Sequence, residues 1–213
     1  MIIEIIICLV IGYVFGCFQT GYFYGRLHGI DIHKYGSGNV GTTNTMRVLG
    51  KKAGYITYFG DAIKAILAIL LVRFVIYPDS PNNLLLTMYT GFGVVLGHNY
   101  PFYLKFKGGK GIAVTSAVMA AFDVRFIIPG FIGFFLTFFL TRYVSVSSLV
   151  LAALFPIFVV IFHPGHWHLF FVSLAFCAMA FWRHRANIVR LINGTENRFD
   201  KKKKKAEEGS KEE

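Results

Sequence analysis

Acidic side chains are scarce in this sequence. Asp and Glu number 11 against 22 Lys and Arg, and they are scattered, so carboxylate clusters of the kind that hold Mg2+ or Ca2+ are not expected. Cysteine is scarcer still. Cys8, Cys17 and Cys177 lie far apart inside apolar runs, which argues against a disulfide framework or a cysteine metal site and for small packing residues. The Gly-x-Ser-x-Gly elbow, the His-Glu-x-x-His pair and a His followed four residues later by Asp are all missing, which removes the common signatures of a serine nucleophile, zinc hydrolysis and soluble group-transfer enzymes. Gly108-Gly-Lys-Gly111 has neither Walker spacing nor a Ser or Thr after its lysine. Gly36-x-Gly38-x-x-Gly41 has dinucleotide-type spacing, with Asp61 20 residues past Gly41, but no alternation of strands and helices surrounds it. No cofactor and no metal are expected.

Polar interruptions are also few. Only 15% of residues are charged and 55% are hydrophobic, and the apolar residues come in unbroken runs without amphipathic alternation. That pattern defines an all-α integral membrane protein. The runs cover about 3–25, 53–76, 84–104, 112–122, 126–141, 147–162 and 166–182, and read as a seven-transmembrane-helix bundle. The run at 112–122 is shorter than the ~20 residues of a perpendicular span, so it is tilted or thins the bilayer. Charge supports counting it. With seven crossings and the N-terminus outside, every Lys and Arg except Arg73 and Arg125 falls on the cytoplasmic side or at that membrane edge. Without it, the Lys107/Lys110 loop and the Lys201–Lys205 run would lie on opposite faces, against the positive-inside rule. Topology thus accounts for the net charge of +11, and no nucleic acid is expected as a partner.

The first residues, Met-Ile-Ile-Glu, lack a basic region and no Ala-x-Ala-like site follows, so the first run is read as a retained span. Gly12, Gly16, Thr20, Gly21 and Gly25 give it small-xxx-small spacing and place it at the centre of the bundle. Pro129 and Pro156 fall inside spans, where neighbouring helices tolerate them. His163, His166 and His168 read as a turn at headgroup level with Trp167, not as metal ligands. Residues 1–196 are expected to form one membrane catalytic domain, and 197–213, Lys-rich and then Glu-rich, a disordered cytoplasmic tail.

This topology gathers the unexplained polar residues at the cytoplasmic membrane surface. The stretch Gly36-Ser-Gly-Asn-Val-Gly-Thr-Thr-Asn-Thr-Met-Arg47 combines glycines that bare backbone N–H groups, hydroxyl and amide side chains, and a closing arginine, a composition suited to an anion. Asp61 and Lys64 share one helix face. Gly97-His-Asn-Tyr-Pro101 leads into Lys105-Phe-Lys-Gly-Gly-Lys-Gly111, Thr141-Arg-Tyr-Val-Ser-Val-Ser-Ser148 joins two spans, and Arg183-His-Arg-Ala-Asn-Ile-Val-Arg190 follows the last. Any one such group could be a snorkelling span end; four segments with His, Asn, Ser or Lys beside glycine are harder to explain so. Gly109 and Gly111 are read as clearing space for a ligand beside Lys110, while Lys105 and Lys107 anchor topology.

The segments Gly36-Ser-Gly-Asn-Val-Gly-Thr-Thr-Asn44, Gly97-His-Asn-Tyr-Pro101 with Phe106-Lys-Gly-Gly-Lys-Gly111, Arg142-Tyr-Val-Ser145 and His184-Arg-Ala-Asn-Ile-Val-Arg-Leu-Ile-Asn-Gly-Thr-Glu196 together resemble the bacterial acyl-phosphate-dependent glycerol-3-phosphate acyltransferases, the PlsY family. The resemblance implies a seven-span enzyme of the bacterial cytoplasmic membrane, active at the cytoplasmic face. Such an enzyme moves an acyl group from acyl phosphate to the sn-1 hydroxyl of glycerol 3-phosphate, giving lysophosphatidic acid and phosphate. It implies that Ser37, Gly38, Asn39, Thr43 and Asn44 hold the acyl-phosphate headgroup, and that Arg47, Lys110, Ser148, His184 and Asn187 hold glycerol 3-phosphate. Of these, Ser37, Asn39 and His184 are taken as catalytic together with His98, which orients the loop or a substrate hydroxyl. The implied proton acceptor is a substrate phosphate oxygen; from the residues alone, His184 is the alternative base. Expected partners are the two substrates, membrane lipid and, as a further candidate, the enzyme that supplies acyl phosphate.

Departures from the family pattern are Cys17-Phe18-Gln19 in place of Ser-Ile-Pro, Thr42 in place of Ala, and Ala65 in place of Gly. The first removes the proline that would kink the first span. A small transporter for an anionic metabolite fits the hydropathy as well, although no internal repeat marks the sequence and the polar groups collect at one face, away from the midplane.

Overall fold

The structure, a computed structural model, describes residues 1–199; most of the expected tail, 200–213, lies outside the described residues. Among these, all regular structure is helical. Helices α1 (Ile2–Cys17) and α2 (Thr20–Leu27) are followed by α3 (Thr42–Leu49) and α4 (Lys51–Leu71), which ends in a single wide turn, Val72–Ile76. Then come α5 (Asn83–Asn99), α6 (Ile112–Phe122), α7 (Ile127–Thr141), α8 (Val144–Phe162), α9 (Trp167–Arg183) and α10 (Arg185–Ile192). Ile2–Leu27, Val124–Thr141 and Val144–Phe162 are long and apolar enough to cross a membrane by length and composition. Each of the seven apolar runs is helical, but two differ from expectation.

The first run is not one helix. Phe18 and Gln19 adopt extended backbone between α1 and α2, and the amide of the buried Gln19 donates to the carbonyls of Gly16 (3.1 Å), His98 (3.1 Å) and Gly97 (3.4 Å). A glutamine amide therefore stabilises the interruption that a proline would impose by deleting an N–H. The third run ends early, at Asn99, because Tyr100-Pro101 turns the chain into a short 3-10 turn at Phe102–Leu104.

Helices α1 and α5 touch backbone to backbone. A Cβ on Gly12 or Gly16 would strike the carbonyl of Thr90 or Val94, and one on Gly93 or Gly97 would strike that of Leu9 or Tyr13. Both helices present glycines four residues apart, the spacing that permits close crossing in lipid. Around this pair, the core of Met88, Val94, Met119, Phe155 and Phe176 joins α5, α6, α8 and α9. Helix α7 buries only Gly130 and leaves Ile128, Phe131, Ile132, Phe139 and Leu140 exposed. Pro129 lies in its first turn, where the missing N–H has no intrahelical partner to lose. Pro156 sits inside α8.

Away from the polar end of the cavity described below, Asp123 accepts hydrogen bonds from Arg125 (2.6 Å) and His163 (3.0 Å), and Tyr89 and His168 are 2.8 Å apart. The carboxylate partner of His163 is remote in sequence, so that histidine is anchored inside the fold and not simply exposed at headgroup level.

Candidate active site

The loop before α3 is shaped by backbone first. Gly36 and Gly38 have φ of +60° and +69°, left-handed values that favour glycine. Asn39 Oδ1 accepts from Gly41 N–H (2.9 Å), closing a tight Asx turn just before α3. Asn44, buried one turn into α3, accepts from Ser37 N–H (2.8 Å) and donates to Tyr35 O (3.0 Å). The Asn44 amide thus pins the loop that carries Ser37. The Ser37 side chain is exposed, and Arg47 projects from the last turn of α3 with Nη1 3.5 Å from Asn44 Oδ1.

The second glycine loop is clamped on both sides. Gly108 and Gly109 N–H donate to Asn99 O (3.2 Å) and His98 O (3.0 Å). Their own carbonyls accept from the Arg183 guanidinium at 2.7 to 3.1 Å, and that group stacks over Tyr100 at 4.9 Å. At Gly109 the cleared space is filled by the protein itself, while Gly111 also lines the cavity described below. A Cβ on Gly109 would strike His98 Nε2, and one on Gly111, whose φ is +81°, would approach Asn99 Oδ1 at 2.9 Å. The glycines let the Lys110 loop close over the end of α5.

Lys110 Nζ donates to Asn187 Oδ1 (2.6 Å), and Asn187 Nδ2 donates to Glu196 Oε1 (2.6 Å). Glu196 also accepts from Ser145 Oγ (3.0 Å) and Arg190 Nε (2.7 Å), tying α8, α10 and the segment after α10 together. Burial pushes Lys110 down to about 8, against the pull of Glu196. Burial raises the Glu196 carboxyl, but hydrogen bonds from Asn187, Arg190 and Ser145 outweigh it and leave it below its ordinary value. His184 Nδ1 lies 2.8 Å from Ala180 O; a carbonyl only accepts, so Nδ1 carries the hydrogen and Nε2 keeps its lone pair. Burial first, and then the Lys110 ammonium, push His184 down to about 4, so it is neutral near pH 7.

These groups share one cavity of about 590 Å³. Its polar end is lined by Ser37, Asn39, Thr43, Asn44, Arg47, His98, Lys110, Ser148, His184 and Asn187, with Ser145, Arg190 and Glu196 beside them. Its apolar end runs along the small face of α6, Ala113, Ala117 and Ala120, to Phe126 and Phe134. The flank between α4 and α7 is open: Ile63, Ile127 and Phe131 line the cavity yet are 52%, 50% and 62% exposed. Asn197, Arg198 and Phe199 complete the polar rim, and Phe199 N–H donates to Arg142 O (2.9 Å). The first residues of the expected tail are therefore part of the wall.

Of the catalytic and substrate-binding residues that the resemblance implies, Gly38 alone is absent from the lining; it serves as a turn. Ser148 lines the cavity while donating to Val144 O (2.8 Å), and Ser147 does not line it. Sequence reasoning missed Glu196, Arg190 and Arg183 as organising groups. Each stood inside a quoted motif, but its partners lie on other elements or across a turn that spacing does not reveal. Among the described residues, no group of three or more His, Cys, Asp or Glu could hold a metal ion.

Residues 6–194 match the family model described as glycerol-3-phosphate acyltransferase. The chain is similar to the glycerol-3-phosphate acyltransferase of Clostridioides difficile, with 37% identity over 203 residues, covering 95% of this chain and 98% of that one. It is similar also to that of Geobacillus kaustophilus, with 38% identity over 189 residues, covering 88% and 92%. Among solved structures, it resembles crystal structures of PlsY, an integral membrane glycerol 3-phosphate acyltransferase, at 34% identity in both cases. The glycerol 3-phosphate form matches with a TM-score of 0.82, covering 92% of this chain and 96% of that one. The lysophosphatidic acid form matches with a TM-score of 0.80, covering 92% and 95%.

Proposed function

Because this chain belongs to the glycerol-3-phosphate acyltransferase family, and is thus an all-helical integral membrane acyltransferase, we propose that its acyl donor is acyl phosphate and that both phosphates bind at the polar end of the cavity. The observation that carries this reading is the continuity of one cavity from a cationic, amide-rich end to an apolar slot between helices. One substrate must bring an anion and a hydrocarbon chain to the same place, and that cavity accommodates both.

In this reading Ser37, Asn39, Thr43 and the bare N–H groups at the start of α3 receive the acyl-phosphate headgroup. Asn44 and Gly38 shape the loop that presents them. Arg47, Lys110, Ser148 and Asn187 receive glycerol 3-phosphate. An acyl phosphate is an activated anhydride, so attack by the hydroxyl needs positioning and charge stabilisation more than a covalent enzyme intermediate. A substrate phosphate takes the hydroxyl proton: a phosphate monoester has a second pKa near ~6, which makes it a better base than His184, held near 4. His184 Nε2, with its lone pair free, accepts a hydrogen bond from the other, non-attacking hydroxyl of glycerol 3-phosphate and so orients the molecule.

The topology proposed is seven crossings, N-terminus outside and C-terminus cytoplasmic, with the cavity's polar end at the cytoplasmic face of the bacterial inner membrane and residues 1–196 acting as one domain. It is supported by the clustering of Lys and Arg in the loops that build the polar end. The deciding experiment is phosphate release by purified protein given palmitoyl phosphate and glycerol 3-phosphate, with no turnover from acyl-CoA or acyl carrier protein alone. Robust turnover with acyl-CoA in the absence of acyl phosphate would overturn the donor assignment.

A further inference from the structure

Beneath the polar end lies a buried network that the reaction as described leaves unused. Lys64, on α4, is 5% exposed and has three polar partners: Asp61 Oδ1 (2.9 Å), His98 Nδ1 (3.0 Å) and the carbonyl of Phe18 at the break between α1 and α2. Asp61 Oδ1 also accepts from Thr20 Oγ1 (3.1 Å), while His98 Nδ1 is too far from it, at 3.8 Å, for a hydrogen bond. An ammonium has three hydrogens and no lone pair, so this set of partners satisfies it completely, and Asp61 balances its charge. Two of the three partners are pure acceptors. The third, His98 Nδ1, must then accept as well, which places the ring hydrogen on Nε2.

The rest of His98 is equally constrained. Its carbonyl accepts from Gln19 Nε2 (3.1 Å) and Gly109 N–H (3.0 Å). Nε2 faces Gly109 Cα, has no hydrogen-bond partner among the described residues, and belongs to a side chain that lines the cavity. A donor held rigid by its neighbours, in a buried side chain that lines the cavity, is the kind of group that stabilises developing negative charge without reorganisation.

We propose that Lys64 is a positioning residue that locks His98 as the Nε2–H tautomer, so that His98 donates a hydrogen bond to the acyl-phosphate oxygen that gains charge as the hydroxyl attacks. This rests on the cavity being the acyl-transfer site. In that step the glycerol oxygen bonds to the acyl carbon, the acyl carbon–phosphate oxygen bond breaks, and the hydroxyl proton goes to a phosphate oxygen. His98 neither gains nor loses a proton. The two cavity histidines thus carry opposite tautomers, His98 as donor and His184 as acceptor.

The test combines 15N NMR of histidine-labelled protein in lipid nanodiscs with kinetics. His98 is identified by the signals lost in His98→Gln. In the wild type, Nε2 is expected to show the one-bond coupling to hydrogen and Nδ1 to be unprotonated. In Lys64→Met that assignment is lost, and kcat falls at least tenfold while KM for glycerol 3-phosphate changes less than threefold. His98→Gln, which can place an N–H near the Nε2 position, retains at least tenfold more activity than His98→Asn, which cannot reach it. If Lys64 only staples the helix break, Lys64→Met leaves the His98 tautomer unchanged, and that result overturns the proposal, as does a hydrogen on Nδ1 in active wild-type enzyme. Absence of phosphate release from acyl phosphate and glycerol 3-phosphate by the wild type is a separate outcome, which removes the underlying reading and the proposal with it.

Discussion

Lys110 and Arg47 carry the anion-binding assignment, and each has a nearby control. Losing a partly buried charge-assisted contact costs about 2 to 5 kcal/mol, or roughly 30-fold to several-thousand-fold in kcat/KM, whereas an exposed topology anchor contributes almost nothing to turnover. Lys110→Gln and Arg47→Gln are expected to show that loss, and Lys105→Gln and Lys52→Gln to remain near wild type at matched insertion. Acidity adds an independent check. Lys110 is charged below about 8 and neutral above it, so kcat/KM, which reports the free enzyme, falls as pH rises through about 8. Glycerol 3-phosphate, with its second pKa near ~6, is a dianion throughout that range, which assigns the falling limb to the protein. In Lys110→Arg the guanidinium keeps its charge, and the limb should vanish; an unchanged limb would assign it elsewhere. The sequence made Lys110 legible, since one lysine between two glycines stands apart from its neighbours. It did not reveal why the glycines are there. Gly109 gives way to a histidine brought by chain folding, so Gly109→Ala should displace His98 and the Lys110 loop together and lower kcat/KM on the order of 100-fold.

Among the helices, the apolar runs were read within a few residues wherever lipid and length decide the matter. The breaks were not, because they depend on partners remote in the chain. Gly12 and Gly16 announced a close contact, but their counterparts Gly93 and Gly97 identified themselves only once α1 and α5 lay together. The first span lacks the family's proline, the usual source of a kink there, and Gln19 supplies the interruption instead, through carbonyls on both α1 and α5. This yields an ordering. Gln19→Pro retains the break, since Phe18 is already extended as a residue before proline must be, and should keep activity within about tenfold. Gln19→Leu removes every amide contact without enforcing the turn, and should lose more activity and lower the thermal midpoint further. Activity of Gln19→Leu equal to or above that of Gln19→Pro would show that the break does not depend on this side chain.

For the whole molecule, the charge pattern carries the proposed orientation, since insertion is decided by loops, whereas the site is assembled by contacts such as that of Arg183 with the Gly108 and Gly109 carbonyls. A reporter fused after Glu196 should be protected from external label in intact cells, and one at Met1 should be reachable. Both ends on one side would mean that α6 does not cross. The cavity's open flank between α4 and α7 sets the kind of kinetics to expect. A hydrocarbon chain that enters between exposed Ile63 and Phe131 comes from the surrounding leaflet and not from solution, so the enzyme samples its donor as a mole fraction of a two-dimensional solvent. Adding inert phospholipid at constant total acyl phosphate should therefore slow the reaction in proportion to the dilution, while the apparent KM for water-borne glycerol 3-phosphate stays fixed.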